Sequence, residues 1–233
     1  MDVVIFCGGK GTRMGNETVG KPKPMTEVGG MPILWHIMKI YAKYGHKRFI
    51  LPLGYKGDII KNWFHHNRKN IDWDIVFVDT GTETLKGGRL KIIEKEVITD
   101  KFHLTYGDGV SNINLDLLEK FHNSHNGVAT LTAVMPPSRF GCLTINEGLV
   151  DEFEEKPRRD FINGGFFILN KEIFNYLHND GKTDFEYGSL KKLSDEKKLY
   201  AYKHLDFWHP MDSVREKEQL DKLCENGTPP WLI

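Results

Sequence analysis

The chain has 233 residues with 32 Lys and Arg against 32 Asp and Glu, a formal net charge of zero, and 39% of its residues are hydrophobic. That balance excludes a nucleic-acid binder covered in positive charge, so any anion site has to be a local gathering of cations. The composition is too apolar for a disordered chain and too mixed for a membrane protein, and the length allows one large domain or two small ones.

The opening Met-Asp-Val-Val-Ile-Phe has no basic region ahead of its apolar run and does not read as a signal peptide. No stretch approaches the ~18 apolar residues of a membrane span. Cys7, Cys142 and Cys224 are three in number, far apart, with no Cys-x-x-Cys pair, against a disulfide framework or a structural zinc site. A soluble cytoplasmic protein is expected, with no membrane and no nucleic acid among its partners.

In chain order, Val3 to Cys7 is a continuous apolar run ending in Gly8-Gly9, the pattern of a strand buried on both faces. Leu34, Ile37, Met38 and Tyr41 recur at helical spacing and Gly45 closes that helix; Trp35, Ile37, Met38 and Tyr41 read as core. A strand over Arg48 to Leu53, a helix over Asp58 to His66, a strand over Trp73 to Val78, a helix over Leu90 to Val97 and a strand over Phe102 to Thr105 follow. This alternation predicts a doubly wound, Rossmann-like α/β sheet, mostly parallel. Beyond about residue 126 strands dominate: Ala129 to Val134, Cys142 to Ile145, Leu149 to Glu154 and Gly165 to Leu169, a mixed sheet or a smaller β-rich part beside the first half. Helices over Lys171 to Leu177 and Tyr187 to Lys197, strands over Leu199 to Lys203 and Phe207 to His209, and a helix over Ser213 to Cys224 complete the chain. No linker separates two independent domains.

Gly8-Gly9-Lys10-Gly11-Thr12-Arg13 follows the first strand directly. Closely spaced glycines let the backbone turn its N–H groups inward as a nest for phosphate oxygens. Residues 10 to 25 carry Lys10, Arg13, Lys21 and Lys23 against Glu17 alone, so the local cation excess is here. A dinucleotide fingerprint fails because Met14 occupies the third glycine position, which removes a dehydrogenase reading. A Walker A loop fails because Pro22 stands where a hydroxyl must bind metal. A strand-ending turn with incidental basic residues remains the simplest non-functional account of the loop.

The Gly-Gly-x-Gly-Thr-Arg run, with Lys21-Pro22-Lys23-Pro24 after it, resembles the signature of the sugar-phosphate nucleotidyltransferases. The resemblance continues through Gly87-Gly88-Arg89, Tyr106-Gly107-Asp108-Gly109, Glu154-Glu155-Lys156-Pro157, Ile162-Asn163-Gly164-Gly165 and Trp208-His209-Pro210-Met211-Asp212, and in that combination looks like the glucose-1-phosphate cytidylyltransferase branch. It implies Mg²⁺-dependent attack by a sugar 1-phosphate on the α-phosphorus of CTP, giving a CDP-sugar and pyrophosphate, within one domain whose nucleotide-binding half is about 1–126 and whose sugar-phosphate half is about 127–233.

By resemblance, Gly8, Gly9, Gly11 and Thr12 hold the triphosphate, with Arg13 on the β- and γ-phosphates and Lys23 over the α-phosphate. Arg13, Lys23 and Asp108 are the implied catalytic residues. Asp108 and Asp212 are the implied metal pair, hard oxygen ligands that suit Mg²⁺. Thr84, Gly88, Arg89 and Gly107 are implied nucleotide contacts, with Gly87-Gly88 backbone near the base and Gly107 and Gly109 letting the backbone crowd a ligand. Glu155, Lys156, Asn163 and Gly164 are the implied sugar-phosphate contacts. Each has a plainer reading: Lys23 a solvated loop lysine, Asp212 a cap of the terminal helix, Glu154 to Lys156 a charged strand end. His65-His66 and His122 with His125 read as surface helix rather than metal ligands.

Two departures stand out. The extension usual after the Trp63-Phe64 helix is largely missing, and Phe185-Glu186-Tyr187-Gly188-Ser189-Leu190 differs from the branch's Glu-Pro-Leu. The alternatives are therefore a cytidylyltransferase for another hexose or polyol phosphate, or a non-catalytic nucleotide-sugar-binding regulator. Family members form homo-oligomers, which the resemblance also carries over.

Overall fold

The computed structural model describes residues 1–9, 11, 20–67, 69, 71–136, 138, 140–158 and 160–233. Lys10, Thr12 and Arg13, on which part of the triphosphate reading falls, lie outside the described residues. The first half contains β1 (Asp2–Phe6), β2 (Glu27–Val28), β3 (Met31–Pro32), α1 (Ile33–Lys43), β4 (Arg48–Leu53), α2 (Gly57–Asn67), β5 (Asp74–Asp79), α3 (Lys86–Ile92), β6 (Lys101–Tyr106), β7 (Gly109–Ser111) and α4 (Leu115–His122). The second half contains β8 (Ala129–Val134), β9 (Cys142–Asn146), β10 (Leu149–Glu154), β11 (Ile162–Asn163), β12 (Phe167–Asn170), α5 (Lys191–Asp195), β13 (Leu199–His204), β14 (Trp208–Pro210) and α6 (Val214–Glu225).

Alternation along β1 explains its uniformly apolar sequence. Val3, Ile5 and Cys7 pack into the core layer holding α1 and α2, while Val4 and Phe6 join the opposite layer with Leu90, Phe102, Phe167 and Phe185. β1 pairs in parallel with β4 and β6, and β5 extends the sheet from β4. On the far side β12 runs antiparallel to both β6 and β8, and β13 pairs in parallel along all of β8. The second half thus continues the main sheet; among the described residues the β9–β10 ribbon, and β14 paired with β7 of the first half, stand outside it. β11 meets β8 in a register two residues out of step with β12; the offset is taken up at 164–166, where Gly165 (φ 74°) and Phe166 (φ 48°) adopt left-handed backbone.

Three sequence expectations are corrected. Gly87 and Gly88 sit in the first turn of α3, which begins at Lys86 rather than Leu90. A Cβ on Gly87 would meet the Thr183 carbonyl oxygen at 2.7 Å and one on Gly88 would meet Gly181 Cα at 2.8 Å, so packing against the 181–183 segment outweighs the low helix propensity of glycine. Trp35 is half-buried, with the Lys39 ammonium 5.5 Å from its ring centroid, whereas Ile37, Met38 and Tyr41 are core. His122 is buried at the end of α4, its Nδ1 2.8 Å from Thr130 Oγ1 and its Nε2 3.1 Å from Asn170 Oδ1.

Burial pushes the His122 pKa down to about 4, opposed by the hydrogen bond to Asn170. The unfolded chain takes up this proton near pH 6.5 and the native state resists it to about pH 4. Stability from this group is therefore complete above pH 6.5 and falls as pH drops through that window, by about 1.4 kcal/mol per pH unit at full slope. Urea unfolding of His122→Gln at pH 7 and pH 4.5 should show a smaller acid loss than the parent chain; an unchanged loss refutes the assignment.

Candidate active site

The carboxyl ends of β1, β4 and β5 are fastened by one buried guanidinium. Arg89 donates from Nη1 to the Leu53 carbonyl (3.0 Å) and Thr80 Oγ1 (2.6 Å), and from Nη2 to the carbonyls of Gly8 and Thr82 (both 3.1 Å). Burial lowers its pKa, with Asp79 opposing, and the ordinary value is so high that the group stays charged. A Cβ on Gly8 would fall 2.2 Å from Nη1, so this glycine is required by Arg89 itself. Arg89 lines the nucleotide cleft, as expected of a nucleotide contact, and its two terminal nitrogens, committed to four protein acceptors, give it a positioning role as well. Arg89→Lys, which cannot reproduce the fork, should lower stability by about 2–3 kcal/mol in urea unfolding and weaken triphosphate binding about tenfold; retention of both would remove the role.

Around this clasp lies a cleft of about 530 Å³ walled by Gly8, Gly9 and Gly11 on one side, residues 82–86 on another, and Tyr106, Gly107 and Asp108 at the far end. A methyl group added to Gly9 would meet nothing within 4 Å, and Gly11 has φ 65°, so both can present backbone to a ligand. Thr84 lines the wall, its hydroxyl donating to the Thr80 carbonyl at 2.5 Å. Gly88 faces the 181–183 segment and is absent from the lining. Gly107 lines the cleft, but a Cβ there would meet the Phe6 carbonyl oxygen at 2.7 Å, so protein already crowds this backbone.

Lys23 occupies a short 3₁₀ turn over Lys23–Met25, set by Pro22 and Pro24 and closed by Thr26 N–H to the Lys23 carbonyl at 3.0 Å. It is buried, which replaces the solvated-lysine reading. Its ammonium lies 2.6 Å from Asp108 Oδ2 and 2.5 Å from Asp212 Oδ1. Two residues distant in sequence meet here because β14 pairs antiparallel with β7, and Met211 N–H then donates to the Asp108 carbonyl at 2.7 Å. The cap of α6 is Ser213, which accepts from Glu216 N–H at 3.3 Å, while Glu216 Oε2 accepts from Asp212 N–H at 2.7 Å. Asp212 is thus not the helix cap, and its carboxylate turns to Lys23.

A second cleft of about 850 Å³ opens beyond Asp108 and includes Lys156, Asn163, Trp208, Asp212 and Arg215. Lys86, Tyr106 and Asp108 border both clefts. Tyr106 donates its hydroxyl to Glu186 Oε1 at 2.8 Å and receives Asn163 Nδ2 at 3.0 Å, and Lys86 pairs with the same Glu186. Burial, reinforced by the Glu186 carboxylate, raises the Tyr106 pKa, so the phenol keeps its proton. Of the implied sugar-phosphate residues, Lys156 and Asn163 reach this cleft. Glu155 is exposed and turned toward Gly141, and Gly164 packs on Val134 while its carbonyl accepts Trp208 Nε1–H at 2.8 Å. Tyr106, Lys86, Glu186 and Arg215 were not singled out as site residues from sequence. For Tyr106 the signal was present: it stands two residues before Asp108 at the end of a strand entering a ligand-binding edge.

The nucleotidyl transferase family model matches residues 2–212, which include all of the first cleft's lining and most of the second's. The chain belongs to this family. The transferase is 44% identical over 255 aligned positions to the glucose-1-phosphate cytidylyltransferase of Salmonella typhimurium, covering 99% of this chain and 98% of the relative. It is 42% identical to the probable glucose-1-phosphate cytidylyltransferase of Bacillus subtilis, covering 100% of both. Among solved structures it is similar to HddC from Yersinia pseudotuberculosis complexed with GMP-PN, with TM-score 0.73, 25% identity, and coverage of 95% of this chain and 98% of that one. Alignment over 255 positions against a chain of 233 residues agrees with a segment present in the relative and missing here.

Proposed function

We propose that this transferase moves a cytidylyl group from CTP to glucose 1-phosphate, giving CDP-glucose and pyrophosphate. The observation that carries the reading is the meeting of two clefts at Asp108, beside a lysine that two carboxylates hold in place. The relatives at 42–44% identity supply the base and the sugar. CTP occupies the first cleft, with its triphosphate over Gly8, Gly9 and Gly11 and its base against residues 82–86. In the same reading Thr12 and Arg13 complete the triphosphate grip. Glucose 1-phosphate occupies the second, its phosphate toward Lys156 and its hydroxyls toward Asn163 and the Tyr106–Glu186 pair.

A phosphate oxygen of the sugar then attacks the α-phosphorus in line. One P–O bond forms as the bond to the β-phosphate bridge breaks, and both electrons of that bond leave with pyrophosphate. The nucleophile is already anionic, so no side-chain base is needed; the chain's task is to align two anions and offset charge at the transferred phosphorus. Lys23 stands at the border where that charge builds. Asp108 and Asp212 converge on one point of positive charge with carboxylate oxygens, a donor set that fits Mg²⁺. When bound, Mg²⁺ would polarise the α-phosphate and balance charge on the leaving pyrophosphate.

We also place the transferase in the cytoplasm as a homo-oligomer. Cys7, Cys142 and Cys224 are free thiols, in keeping with a reducing compartment, and no described helix is long and apolar enough to cross a membrane. The deciding experiment measures pyrophosphate release with Mg²⁺ across nucleoside triphosphates and sugar phosphates. CTP with glucose 1-phosphate should give the highest kcat/KM. Release with another hexose or polyol phosphate would move the acceptor, for which the unusual turn carrying Glu186 gives a reason, and release with none would refute the enzyme.

A further inference from the structure

At the opposite edge of the sheet, away from both clefts, His46, His103 and Glu119 bring three donor atoms to one point. His46 lies just before β4, His103 is the third residue of β6, and Glu119 is on α4. His46 Nε2 is 2.8 Å from Glu119 Oε1, His103 Nε2 is 3.0 Å from the same oxygen, and the two Nε2 atoms are 3.3 Å apart. A tetrahedral zinc ion with bonds of 2.0–2.1 Å holds neighbouring donors about 3.3–3.4 Å apart, so this triangle is one face of such a tetrahedron after a slight expansion. We propose that His46, His103 and Glu119 form a zinc-binding site that ties the α1–β4 loop, β6 and α4 together.

Hydrogen bonding alone accounts poorly for the cluster. For both imidazoles to donate to one carboxylate oxygen, each must carry its proton on Nε2. A proton on His103 Nδ1 instead faces the Phe167 carbonyl, on a ring that is 0% exposed, and leaves the Nε2 lone pair for a cation. Two imidazole edges 3.3 Å apart in a core are otherwise an unfavourable approach, and a cation between them removes the conflict by taking a lone pair from each. Burial lowers the proton affinity of both rings, which favours the neutral form that ligates metals. Nδ1 of His46 is 3.2 Å from the Met1 amino nitrogen; with zinc on Nε2 the ring proton sits on Nδ1, and the amino group accepts it in its neutral form. Two histidines and one carboxylate are a zinc donor set with one coordination position left for water, and Glu119, the least buried of the three, lies on the side from which water can enter.

The site is separate from the carboxylates of the cleft, since His103 stands near the start of β6 and Asp108 beyond its end. The test takes the full chain after chelator treatment and titrates Zn²⁺ alone, read by competition with a chromophoric chelator and by thermal unfolding. Co²⁺ serves as a visible probe of tetrahedral coordination. One equivalent should bind and raise the melting temperature, both effects persisting in Asp108→Asn. Glu119→Gln and His46→Gln should each weaken binding by at least about 10–100-fold, a scale lost even when outer partners of metal ligands are removed, and abolish the tetrahedral Co²⁺ spectrum. Glu119→Gln is a partly exposed position, so it keeps the comparison open if a histidine variant fails to fold. No zinc bound at micromolar concentration, or binding unchanged in both variants and lost in Asp108→Asn, overturns the site.

Discussion

Lys23→Ala should lower turnover roughly 10²–10³-fold, the usual consequence of removing one charge-stabilising contact from the reacting centre. The chain should remain folded. Lys23 is buried, but its partners Asp108 and Asp212 keep 34% and 24% of their side-chain surface, so water compensates much of the lost attraction and the stability cost is about 1 kcal/mol rather than that of a fully buried pair. The same substitution removes a cation that shares both carboxylates with any divalent ion. Half-saturation by Mg²⁺ should therefore move to lower concentration even as turnover falls. Pyrophosphate release across a Mg²⁺ series, with thermal unfolding beside it, reads all three quantities; near-parental turnover would remove Lys23 from the chemistry.

Asp108→Asn should be more damaging still, about 10³-fold or greater in turnover. Asparagine keeps the shape and one oxygen but removes the charge, leaving Lys23 with Asp212 as its single carboxylate among the contacts described above. Asp108 also borders both clefts, while Asp212 lines only the second, so Asp212→Asn should retain more activity than Asp108→Asn. Equal losses would mean that the two carboxylates act as one unit. A small loss in Asp108→Asn, with folding confirmed by circular dichroism, would contradict the assigned site.

Strands buried on both faces were the most legible part of the fold. β4 and β8 coincide with the runs read from sequence, β1 differs by one residue at each end, and the fully exposed β10 coincides as well. α3 was misplaced because a Gly-Gly pair reads as loop; what makes it helical is the 181–183 segment packed against it, which only the tertiary structure supplies. α4 was not anticipated, although Asn114 caps it by accepting from Leu117 N–H. Within the site, Lys23, Asp108 and Asp212 were each nameable, but their convergence depends on the β7–β14 pairing, whose register local patterns do not encode. For Arg89 a nucleotide contact was expected, but not its hold on three carbonyls and the Thr80 hydroxyl at the ends of three strands. Backbone acceptors have no residue type, and a sequence cannot point to them.

The unbroken ladder from β13 through β8, β12, β6, β1 and β4 to β5 also constrains how the transferase can move. Hinge closure needs a few residues that absorb large backbone rotations, and any such seam between the two clefts would have to break sheet hydrogen bonds. The sheet beneath the clefts therefore behaves as one rigid slab, and enclosing the substrates falls to segments outside it, such as the turns at Gly81 (φ 82°) and Gly181 (φ 68°). Spin labels placed on β5 and β13 should keep a constant separation through the reaction cycle, while a label in the 81–85 turn should change environment when nucleotide binds.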